Sequence, residues 1–151
     1  MADWAGAVAA IEARLSAQWT QTPIGFENGD APKVVDPEDG SLRPWIFCEI
    51  VADGAGIEGF GLPQSNVIRE HGAVEITVFV PVGAGTAQAR QNAVAVGEIF
   101  RNRRLYDADP TAYVRTWTPT VGMGRPATSE TPTGNWWSVP VRIPFEFYHR
   151  A

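Results

Sequence analysis

With 151 residues, 44% of them hydrophobic and 19% charged, the chain can bury a real core and has the composition of one ordinary globular domain, residues 1–151. A net charge of −5 argues against a large basic footprint for nucleic acid, and the single cysteine, Cys48, excludes an internal disulfide. No stretch approaches the run of about 20 apolar residues that spans a bilayer, and Met1 to Leu15 lacks the basic start and long apolar run of a signal peptide, which points to a protein made in the cytoplasm.

The first element reads as a helix. Asp3 is placed as its N-cap, and Trp4, Val8, Ile11 and Leu15 form one apolar stripe that Trp19 closes a turn later. Glu12, Arg14 and Gln18 are expected to face away. Thr22 to Phe26 is a short extended piece, its Pro23 suited to an edge or to the first residue of a strand. Glu27 to Leu42, with Gly29, Pro32, Pro37 and Gly40, reads as a long loop. Its acids Asp36, Glu38 and Asp39 lack the alternating ligand spacing of a calcium loop and fit a solvated turn.

Pro44 to Ala52 alternates as a strand, with Ile46, Cys48 and Ile50 on one face and Trp45, Phe47, Glu49 and Val51 on the other. Glycine-rich Asp53 to Gly61 reads as a turn. Val67 to Glu70 then leads through His71 and Gly72, with Arg69 to Ala73 as a last turn of an antiparallel meander, into the central strand. There Val74, Ile76, Val78 and Val80 share one face, and Ala73, Glu75, Thr77 and Phe79 share a second that is partly wet or turned to a partner. Pro81, lacking an N–H, ends the ladder. Gly83 and Gly85 allow a sharp turn, and Thr86 is placed to cap a second helix whose core stripe is Ala89, Ala93, Val96 and Phe100. Arg101, Arg103 and Arg104 follow near its end, where cations complement the helix dipole.

Asp107 to Pro110 reads as a turn, Tyr113 to Val121 as a strand with a polar, aromatic face, and Gly122 to Asn135 as a loop or hairpin tip. In the final strand, Trp136 to His149, the odd residues from Trp137 to Phe147 form an apolar face. Pro140 and Pro144 on the other face suggest a sheet edge or a bulge. Taken together this is an α+β domain.

No catalytic constellation emerges. GAGT after the central strand runs into Ala-Gln-Ala rather than the Lys and Ser or Thr of a P-loop, and Gln88 stands where a dinucleotide fingerprint has its third glycine. His71, His149 and Cys48 have no zinc spacing, and no G-x-S-x-G elbow occurs. Cys48 among apolar neighbours fits a small buried hydrophobe. Trp45, Trp117, Trp136 and Trp137 suit a core or subunit interface, or else stacking on sugars or bases.

Thr22 to Phe26, the run PWIFCEI at Pro44 to Ile50, and GAVEITVFVPVGAGTAQA leading into a helix that ends EIF at Phe100 carry a family resemblance over nearly the whole chain. The chain resembles the tail terminator proteins of long-tailed bacteriophages and of related prophage-like or gene-transfer particles. That resemblance implies a mixed, mostly antiparallel β-sheet with two main helices packed on one side. It further implies a ring, usually of six subunits, that caps the tail tube in the virion, stops its polymerisation and joins the head connector, without enzymatic activity or cofactor. DNA would pass through such a ring without specific binding. Candidate interface residues are Phe26, Trp45, Phe60, Arg69, Trp117 and Trp136; each also fits a core, Trp45 above all. Another head–tail joining or minor tail protein is the runner-up, and a carbohydrate-binding module using Trp117 and Trp136 is the alternative from a different class.

Overall fold

A computed structural model describes residues 2–59, 61–62, 65–109, 112–127 and 136–150. The elements in chain order are α1 (Trp4–Gln18), β1 (Ile24–Phe26), β2 (Trp45–Glu58), β3 (Val67–Pro81), α2 (Ala87–Phe100), β4 (Arg104–Asp109), β5 (Ala112–Thr116), β6 (Thr120–Val121), β7 (Arg125–Pro126) and β8 (Trp136–Arg150). The strands form one mixed sheet of order β1-β2-β3-β8-β5-β4, with β6 and β7 also paired to β8. Among the described residues, only the β1–β2 pairing is parallel. Both helices lie on one face, as the family resemblance implies.

The main core lies between that face and the helices. Ile46 and Cys48 of β2, Val74 to Val80 at alternate positions of β3, and Val139 to Phe147 at alternate positions of β8 meet Ala7, Ile11 and Leu15 of α1 and Ala89, Ala93, Val96 and Phe100 of α2. The Asp3 carboxylate accepts from the Gly6 N–H (2.7 Å), so the expected N-cap of α1 is present. The buried line of α1 is Ala7, Ile11 and Leu15, with Trp4 and Val8 at its margin. Two approaches turn the helix this way. Trp4 stacks on Phe145 (5.6 Å), and the Tyr106 ring lies so close to Gly6 that a Cβ there would meet its hydroxyl. Gly72 completes the first stack. It pairs with Phe145 across the ladder, and a Cβ on it would come within 2.5 Å of the Val51 carbonyl and 2.7 Å of the Phe145 ring.

Several local expectations are corrected. Arg14 does not face away, since its Nε donates to the Ile99 carbonyl (2.8 Å). Thr86 occupies the N-cap position of α2 with helical backbone angles and no side-chain cap bond. Gly83 (φ 88°) and Gly85 (φ 80°) do make the preceding turn. No turn interrupts Arg69 to Ala73; β3 is continuous over fifteen residues. β2 likewise does not end at Ala52. Asp53 is extruded as a bulge between the pairs Ala52–Gly72 and Gly54–His71, and the ladder then continues to Glu58–Val67. Pairing with β3 keeps Gly54 and Gly56 in the ladder against their preference for turns, and Gly59 (φ 81°) turns the chain after it. β4 runs on through Asp109, so the expected turn at Asp107 is strand, and Pro110 lies outside the described residues.

Strand β8 is internal, which corrects the edge expected from its two prolines. The carbonyls of Pro140 and Pro144 accept from Gly122 N–H (2.8 Å) and Trp117 N–H (2.9 Å), on the side away from β3. On that side the neighbouring strand is broken into β7 opposite Trp137 and Ser138, β6 opposite Val141 and Arg142, and β5 opposite Phe145 to Tyr148. Each proline falls at one of the breaks, where no ladder donor is required of it.

Candidate assembly surface

Among the described residues the second face of the sheet carries no helix, and its character changes along the strands. At the β1 end, Trp45 stacks on Phe79 (4.3 Å) and meets Trp136 edge-on (6.0 Å). This trio forms a small second core roofed by Val34 and Leu42 of the long loop and by Ala127. In that loop Gly40 (φ 70°) turns the chain, Asp36 and Asp39 accept backbone N–H groups of Glu38 and Ser41, and Val35 bridges Leu42. Beside the trio opens a cleft of about 630 Å³, walled by Phe26, Phe47 and Phe79 with Glu49, Thr77 and Arg125 among its polar lining.

The middle of the face is ionic. Register places Glu49, Glu75 and Arg142 on three adjacent strands. The Arg142 guanidinium joins Glu75 to Asp53 (3.0 Å to the latter), the carboxylate that the bulge delivers. Further along, Arg69 bridges Glu58 (2.8 Å) and Glu146 (3.8 Å), and His71 also faces Glu146. The Tyr148 hydroxyl donates to Glu146 (2.6 Å), and this bond is the main cause that raises its pKa.

The corner at β4 and β5 combines arginines with aromatic rings. Tyr113 stacks on Tyr148 (5.0 Å), Arg104 lies over Tyr113 (4.0 Å), and Arg115 lies over Trp117 (4.8 Å). Thr116 anchors this corner from below. Its buried hydroxyl bonds the Phe100 carbonyl at the end of α2 and accepts from the Arg103 N–H (2.9 Å).

The sequence candidates therefore separate. Trp45 and Trp136, 7% and 1% exposed, are core of the subunit. Phe26 half-lines the cleft, Arg69 belongs to the ionic row, and Trp117, 41% exposed, stands at the arginine corner. Phe60 lies outside the described residues. Asp53, Arg104, Arg115 and Arg142 are not among the sequence candidates, because strand register and one bulge bring them together; the local hint is alternation, which puts Arg115 and Arg142 on the polar faces of their strands.

Chemically the face offers charge pairs and aromatic surface. Cys48 points to the opposite, helix-covered side, and burial pushes its thiol up to about 12. Among the described residues no group of three or more His, Cys, Asp or Glu is placed to hold a metal ion, and no helix is long and apolar enough to cross a membrane.

Comparison with known proteins gives two results. A family profile described as phage tail terminator protein matches residues 7–145. One solved structure superposes with a TM-score of 0.64 at 16% identity, covering 97% of this chain and 96% of that one, a likeness of fold alone. No curated protein sequence matches the chain.

Proposed function

The chain belongs to the phage tail terminator family, and from that premise we propose that it closes the end of a tail tube. In this reading the subunits form a ring, six in number, on the last layer of tube protein. The ring blocks further addition and offers its other rim to the head connector. Its action is occupancy, with no catalytic step and no cofactor. The acidic balance of −5 lets DNA pass without adhering, since like charges repel.

The family match over residues 7–145 carries this reading. The architecture is compatible with it. One face is spent on the helices, while the other keeps partly exposed ions and rings for a neighbour, with Phe26, Arg69 and Trp117 among the candidates for contact. The test is titration of the purified protein into polymerising tail-tube protein, with tube length read by electron microscopy. Tubes are expected to stop growing at far less than one subunit per tube subunit. Unchanged length distributions at equimolar protein would overturn the proposal.

A further inference from the structure

The open face is electrically polarised from one edge of the sheet to the other. Near the β2 edge lie Glu49, Asp53 and Glu75 with Arg142 between them, and Glu27 reaches the same edge beside Ile50. At the β4 edge Arg104 pairs in register with Arg115, while Arg103, opposite buried Thr116 and close enough to Arg14 of α1 to lower its pKa, belongs to the helix side. Among the described residues, Asp107 is the carboxylate that pairs with Arg104, while Arg115, in register with a Glu146 that Arg69 bridges, forms no ion pair itself. From β2 to β4 the order is β2-β3-β8-β5-β4, four strand spacings, or roughly 19 Å. That exceeds the Debye length of about 8 Å at physiological salt, so the two patches cannot neutralise each other within one subunit.

The two edges also differ in backbone. β4 is irregular, with a shifted register after Leu105 and Tyr106 at φ 53°, which blunts it for strand pairing. β2 has β1 on its outer side only as far as Cys48. From Glu49 to Glu58 its outer edge has no strand partner among the described residues, and Ala52, Gly54, Ala55 and Gly56 leave it unobstructed. A Cβ built on Gly54 or Gly56 meets nothing within 4 Å.

We propose that a second copy of this chain docks head to tail here, its arginine corner (Arg104 and Arg115) seated on the carboxylate edge formed by Glu49 and Asp53 of β2 with Glu75 of β3. One patch on each copy meets a different patch on the next, a heterologous contact that closes into a ring when the rotation per step permits. The acid edge repels nucleic acid and receives what the same molecule carries on its other side. The assignment rests on the ring reading above and adds which surfaces make it.

The test is a charge swap. Arg104→Glu with Arg115→Glu makes one variant, and Glu49→Arg with Asp53→Arg makes the other; thermal melts check that both fold. Self-association is read by light scattering over a concentration series, alone and on ends of tail-tube polymer. Each variant is expected to associate at least roughly tenfold more weakly than the unaltered chain, and the equimolar mixture is expected to recover the ring. If the unaltered chain assembles and the variants assemble as well, the docking surface is wrong and the ring reading stands. If the unaltered chain assembles neither alone nor on tube ends, the ring reading itself falls. Should a variant fail to fold, salt decides. Assembly of the unaltered chain must weaken between about 50 mM and about 500 mM NaCl, and indifference to salt overturns the assignment.

Discussion

At the scale of single residues, Thr116 has the largest structural role for its size. Its buried side chain joins the last carbonyl of α2, that of Phe100, to the Arg103 backbone just before β4. Thr116→Val keeps the shape and strands a buried carbonyl and N–H, so it is expected to cost about 1–3 kcal/mol, measured by urea unfolding. Gly72 is constrained differently. Its backbone angles suit any residue, yet a Cβ would press on the Val51 carbonyl and the Phe145 ring. Gly72→Ala is therefore expected to destabilise by about 1–3 kcal/mol through overpacking, whereas Gly56→Ala, which meets open space, leaves the melting temperature nearly unchanged. Cys48 follows from burial. With its folded-state pKa raised, the unfolded chain releases the thiol proton first as pH rises above about 8.5. Whatever stability this group confers is complete below that pH and is lost as pH rises towards about 12. At pH 8 the folded protein should react with an aromatic disulfide reagent only as fast as it opens, and a rapid stoichiometric reaction would contradict the burial.

At the scale of elements, the sequence patterns were most legible where an element packs on one side only. The period of two in β3 and β8 and the stripe of α2 predicted the core faces residue by residue, because burial on one face imposes alternation. Boundaries were less legible. The glycines of Asp53 to Gly61 signal a turn locally, but the paired strand overrides that preference at Gly54 and Gly56 by satisfying their backbone groups, and the chain turns only at Gly59 (φ 81°). Pro140 and Pro144 signal an edge, and the true reason, a neighbour broken into three short strands, is a fact about residues of β5, β6 and β7, outside any local window around the prolines. Trp136 illustrates the second core. Its truncation to alanine removes the ring that closes the Trp45–Phe79 stack and should cost about 3–5 kcal/mol in unfolding free energy. Arg142→Ala on the same face breaks two exposed ion pairs and should cost at most about 1 kcal/mol.

At the scale of the whole molecule, the sheet is covered on one face and polarised on the other. The outer half of the β2–β3 hairpin projects beyond the helices, with residues 52–59 exposed and Ile57 63% accessible. In the isolated subunit its amides are expected to exchange with deuterium well before those of Val74 to Val80, since few buried contacts hold them. On assembly along the acid edge, amides between Glu49 and Glu58 should gain protection; equal exchange in ring and subunit would argue that this edge stays free.

By itself the sequence determined the α+β class, the apolar faces of the principal elements, the absence of a recognisable catalytic motif, and a family resemblance that the profile match bears out. These are properties of short-range pattern, written by the requirement that each element bury one side. Only the tertiary structure decided which tryptophans are core, where the prolines are tolerated, and how Asp53, Glu75 and Arg142 converge while Arg104 and Arg115 gather at the far edge. Such juxtapositions depend on strand order, register and a one-residue bulge. Those are set by the packing of the whole chain, and no local stretch of residues encodes them.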